Sequence, residues 1–256
     1  MHKSKRIVLG LTIALTLSAC ATRPSDPDAA LIYDQNNDPL EPMNRTVYGF
    51  NQVADKFVLT PLIKGYRAIT PQFVRTGLDN FFTNLKQPIY FANALLQADF
   101  KSAGTIAGRF SVNSLIGFFG LVDSASQMEI PVIKRDFGET LAVWGIKDSG
   151  PYLVLPLLGP STLRETVGMG VDAIANPVSW TLYGEPTLAY GQMAGNAFIT
   201  RDNAQELLDT IHKSSTDSYA TMRSMYQQNR QKEVNTLRGE TDVSPDYDFD
   251  FPDDEE

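Results

Sequence analysis

Apolar residues recur at helical spacing along most of the chain between residues 38 and 239. In the first such stretch, residues 43–57, the apolar positions fall on one face, while Asn44, Tyr48 and Asn51 fall on another. This pattern predicts an amphipathic helix. Because proline disrupts a helix interior, we expect that helix to end before Pro61.

Residues that favour helix starts precede this predicted helix and each of the later stretches with apolar residues at helical spacing. An N-cap side chain accepts a hydrogen bond from an amide of the first turn, and a glutamate three residues on can return the bond. The expected caps are Asp38 with Glu41, Thr70 before Pro71, Asp99, Asp136 with Glu139, and Thr162 with Glu165. We expect the helix after Thr70 to be limited by Pro88 and the helix after Asp136 to stop at Gly145.

The last part of the chain has a helical pattern from Pro186 almost to Gly239, with a break near residues 214–216. Period-two alternation of useful length, which would indicate strands, is nowhere evident. The sequence therefore predicts an all-α fold in a single domain over residues 38–239.

Three stretches are apolar nearly all round: Ile89–Leu96, Leu115–Val122 and Tyr152–Leu158. The last two lie in connectors that carry glycine or proline turn signals. Because such stretches leave little polar face for water, they belong in a protein core or in lipid. The pattern alone leaves both alternatives open.

The N-terminus has the order of a secretory signal, with a basic start followed by an apolar run, Ile7–Leu17, that is too short to span a bilayer. The string Leu17-Ser18-Ala19-Cys20 resembles a bacterial lipobox, which predicts a signal peptide over residues 1–19 and lipidation of Cys20. Three acyl chains there would anchor the protein permanently. Residues 20–37 are then a lipidated tether, and Ala21 resembles an outer-membrane sorting residue. The alternative is that Cys20 is an ordinary thiol.

Charge is concentrated at the C-terminus. Residues 1–19 hold three of the 22 basic residues and none of the 30 acidic ones, so the rest of the chain has a net charge of −11. Residues 240–256 contain nine acidic and no basic residues, and we expect this tail to be disordered. The body before it is close to neutral, so nucleic acid is not an expected partner.

The sequence offers little for catalysis. Beyond residue 19 it has one cysteine and one histidine, His212, for which a surface role is expected. Zinc sites need three or four ligands, so no metal and no cofactor is predicted. Ser161 lacks the second glycine of a nucleophile elbow and is interpreted as a turn or cap residue. Gly168-Met169-Gly170 is interpreted as helix packing by small residues. We do not expect this protein to be an enzyme.

The motifs resemble the MlaA/VacJ family of phospholipid-transport lipoproteins from Gram-negative outer membranes. The similarity runs from about Asp38 to Arg230, in addition to the lipobox. The resembling strings are Asp38-Pro39-Leu40-Glu41, Asn44-Arg45, Tyr48, Phe50-Asn51, Arg75, Gly77-Leu78, Asn80-Phe81, Asn84-Leu85, Arg109-Phe110, Asn113-Ser114, Gly117, Gly120, residues 136–141, Trp144-Gly145, Gly150-Pro151-Tyr152, Leu155-Pro156, Gly159-Pro160-Ser161 and Arg164. Each string is short, but their order and number make the resemblance specific.

The resemblance implies a helical, ring-like domain that lies in the inner leaflet of the outer membrane and has an amphipathic central channel. It also implies association with a trimeric outer-membrane porin and transfer of phospholipids to a periplasmic carrier of the Mla pathway. The implied task is to remove mislocalised phospholipids from the outer leaflet and so maintain lipid asymmetry. The protein would act on the periplasmic side, anchored through Cys20.

Physical reasoning suggests which residues form the lipid path. Moving two acyl chains of roughly 15 methylenes into water costs on the order of 20 kcal/mol, so a transporter needs a continuous apolar path, and the headgroup needs hydrogen-bond partners. For the acyl path we select six residues of the third apolar stretch, with core packing as the alternative. They are Tyr152, Leu153, Val154, Leu155, Leu157 and Leu158. For the headgroup path we select Asn44, Tyr48 and Asn51, with a solvated or porin-facing surface as the alternative.

Two other functions stay open from the sequence. One is a structural lipoprotein that binds porin or tethers the envelope without moving lipid. The other is a lipid hydrolase that uses Ser161 or a carboxylate.

Overall fold

The computed structural model of the chain describes residues 38–178 and 185–239. The expected signal peptide over residues 1–19, the tether over residues 20–37 with Cys20, and the acidic tail over residues 240–256 lie outside the described residues.

Helices dominate the described residues. They are α1 (Glu41–Ala54), α2 (Thr60–Ile69), α3 (Gln72–Leu96), α4 (Phe100–Leu115), α5 (Ser124–Gln127), α6 (Phe137–Val143), α7 (Leu163–Ala175), α8 (Pro186–Asn203), α9 (Gln205–Ser214) and α10 (Ser218–Arg238). A π-helical turn, Asp55–Leu59, joins α1 to α2. The predicted helical fold class is therefore confirmed, as is the break near residues 214–216.

One β-hairpin interrupts the helices. Strand β1 (Tyr152–Leu155) pairs antiparallel with β2 (Gly159–Thr162), and Tyr152 lies opposite Thr162. The expectation of no strands is wrong here. Each strand has only four residues, which is too short for alternation to be visible in the sequence.

Three of the five predicted caps are confirmed, whereas Thr70 does not cap α3, whose N-cap position is held by Pro71 without a side-chain hydrogen bond. Asp99 caps α4 through its side chain. At the start of α6, Asp136 Oδ1 accepts from the Glu139 amide at 2.8 Å, and Glu139 Oε2 accepts from the Asp136 amide at 3.1 Å. At the start of α7, Thr162 Oγ1 accepts from the Glu165 amide at 3.3 Å. Local side-chain chemistry thus sets where these helices begin.

Asp38 does not cap α1 as predicted. Leu40 holds the N-cap position, and no side chain bonds to the first turn. The Asp38 carboxylate is instead buried, where it accepts hydrogen bonds from Asn44 Nδ2 at 2.8 Å, Arg223 Nη1 at 2.8 Å and the Tyr219 hydroxyl. A buried carboxylate is stabilised more by a cation and several donors than by one backbone amide.

Helix α1 ends at Ala54, before Pro61 as expected, although the chain continues through the π-helical turn into α2, whereas Pro88 does not limit its helix. Pro61 lies in the first turn of α2, because the π-helical turn before it interrupts the regular ladder where the proline lacks its N–H. Pro88 lies inside α3, which continues to Leu96. Helices α4, α6 and α8 pack on α3, and this packing outweighs the cost of about 3 kcal/mol for an interior proline.

The apolar core consists of small clusters. One joins α3 to α4 through Ala94, Ala103 and Ile106. Another joins the hairpin to α10 through Tyr152, Val154 and Tyr219. Neither cluster is large enough to hold the many apolar residues of the sequence, and a large number of these residues lie on the exterior.

Substituting Gly120 by alanine should lower the free energy of unfolding by about 2 kcal/mol or more. Gly120 has a φ of +92°, and a Cβ there would lie 2.5 Å from Asn84 Cβ. Gly104, inside α4, has open space around its Cβ position, so Gly104→Ala should instead stabilise by about 0.5–1 kcal/mol. Urea unfolding in detergent, followed by helical circular dichroism, measures both; equal stability of the two variants would contradict this assignment.

Candidate functional site

The interior of the described structure is unusually polar. Eighteen of the buried side chains there are polar or charged and thirteen are apolar. The polar set is Asp38, Asn44, Asn84, Gln87, Asn93, Gln97, Ser102, Arg109, Asn113, Glu139, Thr140, Ser161, Thr162, Arg164, Glu165, Asp202, Gln205 and Arg223. In water-soluble domains charged residues are almost never fully buried unless they are paired, so this interior requires a network of partners.

The exterior of the described structure carries an unusual number of large apolar side chains. Many large apolar side chains are exposed, and the extremes reach 84% for Leu115, 83% for Ile69 and 80% for Phe119. They lie on α1 to α4, on the loop after α4, at the hairpin turn and on α7 and α8. A soluble monomer rarely exposes apolar patches of this extent, and such surfaces mark sites that bind protein or membrane.

No helix within residues 38–178 and 185–239 combines the length and the apolar character needed to cross a bilayer.

The hairpin places the six residues proposed for an acyl path in three environments. Tyr152 and Val154 point inward and are 1% and 5% exposed. At the turn, Leu157 and Leu158 are 62% and 63% exposed. The remaining two, Leu153 and Leu155, are half-buried. The apolar stretch therefore supplies both a core contact and an exposed apolar tip, the hairpin tip formed by Leu157 and Leu158.

Asn44 binds the hairpin as a neighbouring strand would. Its Nδ2 donates to the Tyr152 carbonyl at 2.9 Å, and its Oδ1 accepts from the Val154 amide at 2.9 Å. The side chain is fully buried. It thus satisfies two backbone groups of β1 that have no strand partner on that edge.

Asn51 repeats this arrangement two helical turns further along α1. Its Nδ2 donates to the Leu155 carbonyl at 2.9 Å, and its Oδ1 accepts from the Leu157 amide at 2.8 Å. Between the two asparagines, Tyr48 packs edge-on against Tyr219 with ring centroids 5.6 Å apart. The polar face of α1 therefore holds the hairpin and α10. That it also lines a headgroup path stays a prediction.

Arg230 of α10 joins the starts of α6 and α7. Its Nη2 lies 2.6 and 2.7 Å from the two carboxylate oxygens of Asp136 and also donates to Glu165. Its Nη1 donates to Glu233 at 2.8 Å and lies 3.7 Å from Glu139. One guanidinium thus gathers carboxylates from three helices.

Further ion pairs connect the other elements. Arg223 bonds Asp38 in front of α1, and Arg109 forms two bonds to Asp123, at 2.9 and 2.8 Å, in front of α5. Pairs also link α2 to α8, through Arg67 and Asp202, and α8 to the π-helical turn, through Arg201 and Asp55. Arg109 and Asp123 are 14 residues apart and the partners in the other three pairs are 135 to 185 residues apart, and the sequence pattern gave no signal for any of the four.

Residues 36–233 match the family model described as MlaA lipoprotein. The chain belongs to this family. It is 35% identical over 238 residues to the intermembrane phospholipid transport system lipoprotein MlaA of Haemophilus influenzae, covering 91% of this chain and 92% of that protein. The Escherichia coli K12 protein of the same name is 33% identical over 227 residues, covering 86% of this chain and 84% of that protein.

A solved structure supports the same assignment. It is described as "Structural basis for maintenance of bacterial outer membrane lipid asymmetry" and aligns with a TM-score of 0.67 at 30% identity. The alignment covers 77% of this chain and 99% of that chain. The resemblance to the MlaA family that the sequence motifs indicated is therefore confirmed.

The structure shows the surroundings of Ser161 and His212, the residues considered for catalysis from the sequence. Ser161 is a buried residue of β2, not a turn or cap residue as interpreted from the sequence, and its Oγ lies 3.0 Å from Thr166 Oγ1. His212 is exposed as expected, with its Nε2 3.3 Å from the Tyr48 hydroxyl. Within the described residues no three His, Cys, Asp or Glu side chains converge as metal ligands would.

The interpretation of Gly168 as a packing residue agrees with the geometry. A Cβ at this position of α7 would lie 2.4 Å from the backbone nitrogen of Gly138 in α6. Two glycines therefore let these helices approach closely, which brings the carboxylates of α6 and α7 within reach of Arg230.

Asn44→Ala should lower the free energy of unfolding by about 2–4 kcal/mol, because it leaves the buried amide of Val154 and carbonyl of Tyr152 unpaired. Asn229→Ala, at an exposed position on α10, is the matched control and should change stability by no more than about 0.5 kcal/mol. Urea unfolding in detergent measures both variants. A loss of under about 0.5 kcal/mol in Asn44→Ala would show that the hairpin is held by other contacts.

Glu139 should make the fold sensitive to pH. Burial, with a smaller contribution from Asp136, raises the pKa of Glu139 from its ordinary 4.5 to about 7, although Arg230 acts in the opposite direction. The folded state therefore binds this proton more tightly than the unfolded state. The resulting stability is fully present below about pH 4.5 and is lost as the pH rises through about 7.

Glu139→Gln keeps a side chain that can bond the Asp136 amide but removes the charge. We expect the variant to be more stable than the wild type at pH 8 and to lose this advantage at pH 4.5. Thermal unfolding across this pH range measures the difference. A constant difference between the two proteins at all pH values would contradict the assignment to Glu139.

Proposed function

We propose that this protein lies within one leaflet of the outer membrane and carries phospholipids between that membrane and the periplasm. The observation that carries the proposal is that many large apolar side chains are exposed while the interior is built from paired charges and amides. An exterior of this kind is stable against acyl chains and unstable against water.

The transport role is supported by the relatives. Proteins named as lipoproteins of an intermembrane phospholipid transport system share about a third of the sequence along most of its length. The aligned structure concerns maintenance of outer-membrane lipid asymmetry. We infer that this protein removes mislocalised phospholipids from the outer leaflet and acts as a transport component, not as an enzyme.

A ring around a central channel is supported by the order of packing contacts. The contacts run from α1 through α2, α8, α3, α6 and α7 to β2, and they return through β1 to α1. This circuit closes on itself. We propose that the ring it forms surrounds an amphipathic channel, in which polar interior groups compensate the headgroup while it is out of water.

Within this scheme the hairpin tip contacts acyl chains. Burying a leucine side chain is worth about 1.5–3 kcal/mol, so Leu157 and Leu158 together favour a lipid environment by several kcal/mol. Tyr152 to Leu155 support the tip, and Asn44, Tyr48 and Asn51 hold it against α1. We retain the three α1 residues as candidates for the headgroup path only where the hairpin leaves them accessible.

The proposed attachments follow from the family. Lipidation at Cys20 would hold the domain on the periplasmic side of the outer membrane. A trimeric porin would fix its position in that membrane, and a soluble periplasmic carrier of the Mla pathway would receive the lipid. Lipid transfer to such a carrier has to occur from a face that water can reach, because the carrier is soluble.

Outer-leaflet phospholipid in cells that lack the protein tests the proposal. An enzyme that acylates lipid A only when surface phospholipid is present provides the readout, and a restoring copy of the gene is the control. A rise that the copy reverses is expected. No change, with the protein expressed and located in the outer membrane, would favour the structural lipoprotein that binds porin or tethers the envelope without moving lipid.

Leu158→Asp should abolish function without unfolding the domain. The side chain is 63% exposed, so a carboxylate there costs little in the fold, but in an acyl layer a charge costs roughly 2–4 kcal/mol. Cells with this variant should show raised surface phospholipid. Gln228→Asp, at an exposed position of the polar helix α10, is the matched control and should behave as the wild type. Normal surface phospholipid in Leu158→Asp would remove the hairpin tip from the lipid path.

A further inference from the structure

The loop between α4 and α5 holds two phenylalanines in a strained conformation. Phe118 and Phe119 have φ values of +52° and +59°, a region that bulky residues avoid. Both side chains are nonetheless exposed, by 73% and 80%. Strain of about 1–3 kcal/mol per residue persists only where the surroundings enforce it.

Backbone hydrogen bonds within the loop enforce this conformation. The Val122 amide donates to the Gly117 carbonyl at 2.9 Å, and the Gly120 amide donates to the Asn113 carbonyl at 2.8 Å. A Cβ at Gly117 would lie 2.1 Å from the Val122 oxygen, so only glycine fits. From α3, Asn80 Nδ2 donates to the Leu121 carbonyl at 3.2 Å. The two phenylalanines are thus held at the apex of a rigid loop.

An open groove of about 620 Å³ lies between this loop and the first half of α3. This volume falls within the range of about 300–1,000 Å³ typical of small-ligand sites. Three large apolar side chains line it, Phe73, Leu121 and Val122. The polar lining consists of Gln72, Thr76, Asn80, Asp123 and Gln127.

The groove has almost no net charge. Its one acidic residue, Asp123, receives two hydrogen bonds from Arg109, which is 2% exposed. It also accepts from Asn113 Nδ2 at 2.9 Å. Because Asp123 is paired with Arg109, the groups left for a ligand are neutral amides and a hydroxyl. A carboxylate paired in this way repels a phosphate much less than a free carboxylate does.

The apolar part of the groove is continuous with the lipid-facing exterior. Leu121 and Val122 belong to the same loop as Phe118 and Phe119, and they are themselves 45% and 40% exposed. Phe73, on the opposite wall, is 77% exposed. A molecule in the groove would therefore meet both exposed apolar side chains and amides.

We propose that this groove is a docking site for a phospholipid, with Phe118 and Phe119 inserted among the acyl chains at its mouth. The proposal rests on the proposed function. An amphiphile fits the mixed lining, whereas a wholly apolar or wholly polar molecule would leave half of it unsatisfied. Because the lining is neutral, the site should accept zwitterionic and anionic headgroups about equally.

Photo-crosslinking in intact cells tests the groove. A photoreactive amino acid is placed at Gln127, on the groove wall, and in separate cells at Ser224, on the exposed polar face of α10. After irradiation the adduct is identified by mass. The diacylglycerol expected on Cys20 carries no phosphate, so it is distinguished from a captured phospholipid. Phospholipid adducts are expected at Gln127 and not at Ser224, with both headgroup classes represented.

A filled groove should exclude the lipid. Gly77 lines the groove, and a Cβ there meets Leu121 only at 3.4 Å, so Gly77→Leu can extend into the space. We expect the adduct at Gln127 to fall by about fivefold or more, because the leucine occupies the lipid's volume. Gly104→Leu, on α4 with open space around it, is the matched control and should leave the adduct unchanged.

A second variant tests the groove independently, in case Gly77→Leu does not fold. Phe118→Asn with Phe119→Asn removes the aromatic rings, and asparagine tolerates the left-handed conformation. The adduct at Gln127 should fall in this variant and not in Phe100→Asn, whose side chain is 71% exposed at the start of α4.

Absence of a phospholipid adduct at Gln127 in the wild type, or an adduct unchanged in both groove variants, would overturn the inference. Neither result affects the deletion assay of surface phospholipid, so failure of the groove and failure of the proposed function are distinguishable.

Discussion

The fold depends on Arg230 and the carboxylates it gathers. This residue of α10 binds Asp136 and Glu165, which stand at the starts of α6 and α7. Because the close contact of Gly138 with Gly168 brings these two helix starts together, their carboxylates would repel one another without the guanidinium. Removing a partner from such a group leaves an uncompensated buried charge, which costs about 3–5 kcal/mol.

An interior of this kind suits a protein that faces lipid on its outside. Acyl chains are as apolar as leucine, so moving a leucine from lipid into a protein core gains little, and hydrogen bonds and ion pairs then decide which elements pack. Two such ion pairs fix the packing in front of α1 and α5. They are Asp38 with Arg223 and Asp123 with Arg109. The apolar residues left over can cover the exterior, which is where the described structure has them.

Local chemistry explains which features were predictable. The starts of α4, α6 and α7 follow from Asp99, Asp136 and Thr162, because each cap bonds a residue only three positions away. The same reasoning failed at Asp38, whose partner Arg223 is 185 residues distant. No single-sequence pattern reports a pairing over that distance. The resemblance to a family provided the function, since no residue of the site has a reactive signature.

At two apolar turns, the hairpin tip and the loop after α4, an asparagine of a neighbouring helix hydrogen-bonds the turn backbone. In hydrocarbon an unpaired backbone N–H or C=O costs several kcal/mol, so a turn can enter lipid only if its backbone is satisfied from within. At the hairpin tip, Asn51 accepts from the Leu157 amide, and at the loop after α4, Asn80 donates to the Leu121 carbonyl. Each asparagine lies on a neighbouring helix and serves as a substitute for a peptide group. The polar stripe on α1 and the apolar turn beside it therefore act together, because the amide side chain satisfies the backbone of a turn whose leucines are exposed on the surface.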